Sequence, residues 1–302
     1  MNLQTLVAPA GMSSHFRVNK RTLFACLALA TSTTAMTSCG DADDSSAADD
    51  PLPGQPTQFD VRIVAKHPSD PRAFTQGLEL DKDFNLVVGT GMYNESEIYR
   101  VKNWPSNGAT PGTKSEQHKL EPGLFGEGIT IADDTVWQLT WRENVAIARD
   151  VATLQEQRRV RYDGEGWGIC AFQDKLVMSD GSGHLQFRDP DTFGVTGGVD
   201  VTNGETPATA LNELECVQGS RGPEVWANVW QTNTILRIDP ATGHVTGEAD
   251  ATELVNQLPT EARARADVLN GIADYRGTGT FLVTGKYWPT LYQVEFVPRQ
   301  KR

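Results

Sequence analysis

No stretch of this chain reaches the roughly eighteen consecutive apolar residues that a membrane-spanning helix needs, so the mature part is expected to be soluble. Positive charge is scarce: 27 Lys and Arg stand against 39 Asp and Glu, a formal net charge of −12. That balance excludes nucleic acid as a partner, since phosphates recruit the opposite sign. Long amphipathic helices are missing too. Only residues 251–269 have helical composition, and they are expected to lie in a loop. His67, His118, His184 and His244 are scattered, without the clustered ligands of a zinc centre. Cysteine is limited to Cys26, Cys39, Cys170 and Cys216, which excludes a disulfide-rich scaffold.

The first 38 residues carry Arg17, Lys20 and Arg21 but no acid, then the apolar stretch Leu23 to Met36, then Thr37, Ser38 and Cys39. This is the pattern of an export signal over 1–38. Met12 is an alternative start. Small residues directly before a cysteine resemble a bacterial lipobox, with Cys39 as the lipidated first residue of the mature chain; plain signal-peptidase cleavage nearby is the alternative. Residues 39–58 are acidic, small and Pro-rich, too polar to order themselves, and read as a tether. Losing the three positive charges of the signal takes the net charge to −15. Cys170 and Cys216 then remain for one disulfide in an oxidising compartment, which their offset by one repeat position neither requires nor forbids.

The 28 Gly and 16 Pro favour many turns, and a repeat runs between them. Five tetrapeptides align: Gly77-Leu-Glu-Leu, Gly128-Ile-Thr-Ile, Gly168-Ile-Cys-Ala, Glu213-Leu-Glu-Cys and Gly271-Ile-Ala-Asp, starting 51, 40, 45 and 58 residues apart. Each precedes a turn and a second apolar run, at 85–89, 135–139, 175–179, 224–229 and 280–284. Further strands follow at 96–101, 145–150, 184–189, 234–239 and 291–297, with Asp189-Pro and Asp239-Pro marking two turns. Repeats of this length with three or four strands each predict an all-β, five-bladed β-propeller over 59–298, leaving 299–302 as a tail. The strand at 59–66 is expected to close the ring by joining the last blade. A pair of β-sandwiches would leave the five aligned starts unexplained.

In a propeller the first strand of each blade lines the central channel. Directly before the five tetrapeptides stand Gln76, Glu127, Trp167, Asn212 and Asn270, none of them aliphatic. The antiparallel second strand returns to the same rim, which brings Trp141 beside Glu127, Trp230 beside Asn212 and Lys286 beside Asn270. One acid, one lysine, amides and three tryptophans thus converge on a small-ligand pocket. On these residues alone its chemistry stays open, because each tryptophan could be interblade core and each Asn an ordinary turn residue.

Read in order, Phe74-Thr-Gln-Gly-Leu, Phe125-Gly-Glu-Gly-Ile-Thr, Gln138-Leu-Thr-Trp, Glu165-Gly-Trp-Gly, Leu211-Asn-Glu-Leu-Glu, Asn228-Val-Trp, Leu269-Asn-Gly-Ile-Ala and Val283-Thr-Gly-Lys-Tyr-Trp-Pro resemble the plant-type glutaminyl-peptide cyclotransferases. The resemblance covers about 59–298, and Leu291-Tyr-Gln-Val-Glu-Phe extends it. Gly89 departs from it where serine is common, as does Cys216 where an aromatic is frequent. What the resemblance implies is a five-bladed propeller aminoacyltransferase. It would turn the N-terminal glutamine of a peptide or protein into pyroglutamate and release ammonia. The family's functional positions carry over to Phe74, Gln76, Phe125, Glu127, Trp141, Trp167, Asn212, Trp230 and Lys286.

For that reaction Glu127 is expected to shuttle the proton, with help from Lys286, while Gln76, Asn212 and Lys286 meet the developing oxyanion. Phe74, Phe125, Trp141, Trp167 and Trp230 would fold the substrate side chain and exclude water. Catalysis is expected to need no cofactor or metal, although a structural divalent ion has room in such a fold. The chain is expected to act as a monomer whose one membrane link is a lipid on Cys39. Asn270 is expected to be structural, positioning Lys286. The rival reading is a non-catalytic cell-surface propeller that holds a peptide end. It accounts for the tryptophans but not for two opposite charges in one apolar mouth.

Overall fold

In the computed structural model, residues 55–105 and 110–300 are described. The expected export signal, Cys39 and most of the expected tether lie outside them. Among the described residues the fold is all-β, and its strands follow one another as antiparallel meanders. The first sheet runs Thr75–Leu80, Leu86–Thr90, Glu97–Lys102, Thr113–Lys119; the second Gly126–Ala132, Thr135–Thr140, Val145–Asp150, Glu156–Arg161. A third follows as Ile169–Ala171, Leu176–Ser179, His184–Arg188, Val195–Asp200.

The remaining long strands make one eight-stranded sheet. One half is Leu211–Gly219, Gly222–Val229, Thr234–Ile238 and Val245–Asp250; the other is Leu269–Asp274, Thr280–Gly285, Thr290–Pro298 and the N-terminal strand Thr57–Pro68. The N-terminal strand joins the halves. It pairs antiparallel along the last strand, Phe59 opposite Pro298, and parallel to Val245–Asp250, Phe59 opposite Ala249. The chain's two ends are thereby tied together, as expected from 59–66.

Hydrophobic runs specify these strands because the sheets pack on one another's faces. Every side chain of Leu86–Thr90 is buried, and so are five of the six in Thr135–Thr140. Leu78, Leu86 and Val88 of the first sheet pack on Ala273, Leu282 and Leu291 from the far end of the chain. Val87 and Ile98 pack forward on Ile129 and Val136, and Trp137 and Leu139 on Ile169 and Met178. Burial of each such side chain stabilises by roughly 1.5–3 kcal/mol. The outermost strands bury little: Glu156–Arg161 and Val195–Asp200 are mostly exposed. They carry no apolar run, which is why sequence reading passed over them.

The first strands of the meanders also adjoin in succession, the first beside the second, second beside third, third beside Leu211–Gly219, that strand beside Leu269–Asp274, and this last beside the first again. The approach is close. A Cβ on Gly128 would lie 2.7 Å from the Trp167 carbonyl oxygen, so only glycine fits there. Glu213 breaks the pattern and sends a side chain inward, where Oε1 accepts from Leu78 N at 3.2 Å and Oε2 from Ile272 N at 2.8 Å. It fastens three first strands together. Gly89 is explained in the same way, since its Cβ would press on Ile129 Cγ2 at 2.7 Å.

One expectation needs amending, and one question left open is answered. Residues 251–269 hold only two short helices, Thr252–Asn256 and Thr260–Arg263, separated at Pro259, and Leu269 already begins a strand. Cys170 and Cys216, on adjacent first strands, form a disulfide with Cα atoms 5.3 Å apart. Neighbouring sheets present opposite faces to each other, so the one-position offset is what brings them together: Ile169 packs back on Trp137 and Leu139, whereas Cys170 packs forward with Leu214 and Cys216.

Candidate active site

Four hairpins carry a β-bulge where the leading polar residue enters. The register shifts between Thr75 and Gly77, between Gly126 and Ile129, between Leu211 and Leu214, and between Leu269 and Ile272. An extra residue leaves the ladder at each point and turns its side chain out of the sheet. These are Gln76, Glu127, Asn212 and Asn270. The returning strands end level with them: Trp141 N donates to Phe125 O, Trp230 N to Ala210 O and Lys286 N to Val268 O, at 2.9, 2.8 and 3.0 Å.

All nine residues expected at the site line one cavity of about 510 Å³: Phe74, Gln76, Phe125, Glu127, Trp141, Trp167, Asn212, Trp230 and Lys286. Arg142, Gln231, Asp267 and Val268 join them. Concavities of about 400 and 520 Å³ beside Arg72 and Lys114 match it in size but contain neither Glu127 nor Lys286. Chemistry therefore selects the site, not volume.

Glu127 and Lys286 are each only 5 % exposed. Burial pushes the Glu127 carboxyl well above its ordinary range, against the pull of Lys286 and with further upward pressure from Glu143 and Glu165. Burial likewise lowers the Lys286 ammonium, against Glu127 and Asp267. Among the described residues no carboxylate comes within ion-pair distance of Lys286, whose Nζ lies over the Phe74 ring, 4.5 Å from its centre. Glu127 Oε1 accepts a 2.9 Å hydrogen bond from Gln76 Nε2. Gln76 Oε1 in turn accepts from Asn270 Nδ2 at 3.0 Å. Asn270 therefore serves Gln76, not Lys286 as expected, and one of the two Gln76 Nε2 protons is engaged on the acid. Asn212 Oδ1 is buried without a partner among the described residues.

The aromatic wall is held by acids that sequence reading did not assign. Glu165 Oε2 accepts from both indoles, Trp141 Nε1 at 2.8 Å and Trp167 Nε1 at 3.0 Å, while Oε1 takes Arg142 Nε at 2.8 Å. Against the upward push of burial, the bonds from Trp167, Arg142 and Trp141 hold this carboxyl below its usual range. The Arg142 guanidinium lies 3.8 Å from the Trp141 ring centre. Glu143 accepts from Tyr93 OH and Phe125 N at 2.9 and 3.2 Å. Phe74 meets Phe125 edge-on at 6.0 Å between ring centres, and Trp167 meets Trp230 edge-on at 5.4 Å. Trp230 is the open side, 37 % exposed. Glu165 stands two residues before Trp167, as Phe74 and Phe125 stand two before Gln76 and Glu127. That shared offset is the signal that would have found it.

A buried acid with one free oxygen, a buried amine and an aromatic box suit proton transfer to and from a small cationic chain end. The family model described as "Glutamine cyclotransferase" matches residues 28–296. A glutaminyl-peptide cyclotransferase of Arabidopsis thaliana is 34% identical over 237 residues, covering 78% of this chain and 71% of the relative. The crystal structure of Myxococcus xanthus glutaminyl cyclase superposes with a TM-score of 0.70 at 33% identity, over 82% of this chain and 100% of that one. The chain belongs to the glutamine cyclotransferase family.

Proposed function

We propose that this protein is a glutaminyl-peptide cyclotransferase that closes the N-terminal glutamine of peptides or proteins into pyroglutamate and releases ammonia. Family membership supports the reaction, and one observation carries its assignment to this site: Glu127, Lys286, Asn212 and three tryptophans share one cavity. The fold reads as a five-bladed propeller, supported by the succession of adjoining first strands that returns to its start.

An α-amino group titrates near ~8, so the substrate arrives mostly as ammonium. Glu127 Oε2 accepts no bond from the described residues and is the atom that takes its proton. Freed, the amine attacks the side-chain amide carbon and the amide oxygen gains negative charge. Asn212 and Lys286 supply its donors, and the strong burial of Lys286 makes its charge act at full strength on that oxygen. In becoming a lactam N–H the attacking nitrogen sheds two protons, and the departing nitrogen gains them and leaves as ammonium. Glu127 carries them across. The raised Glu127 and lowered Lys286 draw together the proton affinities of acid, base and substrate amine, which is what efficient transfer requires. Trp141, Trp167, Trp230, Phe74 and Phe125 hold the glutamine stem folded back on its amine and keep water out. The route draws on side chains alone and uses no metal.

The same proposal includes export and a lipid anchor at Cys39, supported by the signal-like 1–38 and by the Cys170–Cys216 disulfide, a bond that persists in oxidising compartments. It also includes action as a monomer. Incubation of the purified chain with a glutamine-initiated peptide tests the reaction. Ammonia release with loss of the free amine is expected, and unchanged peptide from pH 6 to 9 would overturn it.

A further inference from the structure

We propose that Asn270 is a positioning residue that sets the polarity of the hydrogen-bond relay ending on Glu127. This rests on Glu127 being the proton carrier. Asn270 is fully buried, and its Nδ2 donates twice, to the Thr75 main-chain oxygen at 3.1 Å and to Gln76 Oε1 at 3.0 Å. A main-chain carbonyl can only accept, so the Thr75 oxygen fixes which end of the Asn270 amide faces it. The second Nδ2 proton then fixes Gln76, because a turned Gln76 would set donor against donor at Asn270. What remains is the Gln76 Nε2 donor, and it meets Glu127 Oε1 at 2.9 Å.

An amide offers its donor and acceptor ends with almost the same shape, so Gln76 alone could equally present an oxygen to the carboxylate. Presented that way it would repel the charged form. As built it stabilises the charged form against burial and leaves Oε2, not Oε1, free of bonds from the described residues. One backbone oxygen on the first sheet thus decides, through two amides, which state of the acid on the second sheet is favoured. Asn270 is hydrogen-bonded to Gln76 and not to the acid, lies outside the cavity lining, and its buried Oδ1 makes no hydrogen bond among the described residues. An acceptor left so costs stability, which is consistent with retention for position and not for packing.

The test is the pH dependence of kcat/KM for Asn270→Leu and for Asn270→Asp, whose carboxylate cannot donate to Thr75 or Gln76. In both, the acid limb should move up by about one unit, the worth of one charge-assisted hydrogen bond, with about tenfold less activity below it. In a Gln76→Leu background, Asn270→Leu should add no further loss, because it acts only through Gln76. An unmoved limb, or fully additive losses, would overturn the proposal. A readout on the unsubstituted chain stands independently of turnover and of variant folding. The Gln76 side-chain amide signal in ¹H–¹⁵N spectra, identified by its loss in Gln76→Leu, should titrate with Glu127. A signal that ignores that titration refutes the relay. Wild-type protein without cyclising activity would instead end the cyclotransferase reading, and the amide titration would still decide the relay.

Discussion

Glu79→Gln should flatten the dependence of stability on pH between 5 and 8. Glu79, Asp274 and the pair Glu213 and Glu215 lie on three first strands, of which the one with Asp274 adjoins both others. Burial, aided by the charges of its neighbours, pushes Glu79 from 4.5 up to about 7, and moves Glu213 and Glu215 upward as well. A folded-state value above the unfolded one means that the native chain keeps a proton the unfolded chain has lost. Stability is therefore highest below about pH 4.5 for this group and falls as pH rises through about 7. A rise of about 2.5 units corresponds to ~3 kcal/mol, and Glu213, Glu215 and Glu127 act in the same direction. His67, lowered by burial, opposes them near pH 6.5. Asp70, held near 2 by Arg72 and Lys114 against its burial, matters only in stronger acid. Urea unfolding at constant ionic strength should show the wild type weakening from pH 5 to 8. Glu79→Gln, an amide of the same shape, should lose about 3 kcal/mol of that slope, or roughly 10 °C in midpoint. An identical slope in the two proteins would refute the buried-proton argument.

Three further outcomes follow from the site and its frame. Glu127→Gln should keep the fold and lower kcat by 10²–10⁴, and wild-type activity should fade in acid well above the ordinary carboxylate range; kinetics across pH 4 to 9 check both. Glu165→Leu removes the acceptor shared by Trp141 and Trp167, so KM for a glutamine-initiated peptide should rise about tenfold with a smaller change in kcat. Equal kinetics would show that packing alone holds the indoles. Cys170→Ser closes no loop across the 46-residue separation and should cost ~4 kcal/mol in denaturant unfolding. Reduction of the wild type should reproduce most of that loss.

Sequence exposes a residue when its task needs an unusual type at a repeated place. Gln76, Glu127, Asn212 and Asn270 were legible because polar side chains precede apolar strands at aligned positions. The bulges that turn them into the mouth were not, because a period-two pattern carries no sign of an extra unpaired residue. Trp141, Trp230 and Lys286 came from counting along antiparallel pairs, which the bulges leave intact at the hairpin ends. Glu165 escaped for another reason. The offset it shares with Phe74 and Phe125 places it at the mouth, but its role, two indoles from different hairpins meeting on one oxygen, is not written in that spacing. Asn270 was placed correctly and paired wrongly, since adjacency in one hairpin suggested Lys286 while the bond crosses to the neighbouring sheet.

Glu127 and Glu213 show how equal burial serves opposite ends. Both are nearly inaccessible, and burial raises both well above the ordinary carboxylate range. Glu213 has each oxygen claimed by a main-chain N–H, from Leu78 and from Ile272. Two fixed donors from different strands make it a fastener. Glu127, which lines the cavity, has one oxygen claimed by a side-chain amide and the other free of any bond from the described residues. Its proton can come and go without unmaking the sheet. Burial alone therefore does not mark the catalytic acid. The unclaimed oxygen does, and so Glu213→Gln should lower the unfolding midpoint yet leave the acid limb of kcat/KM in place, whereas Glu127→Gln should do the reverse.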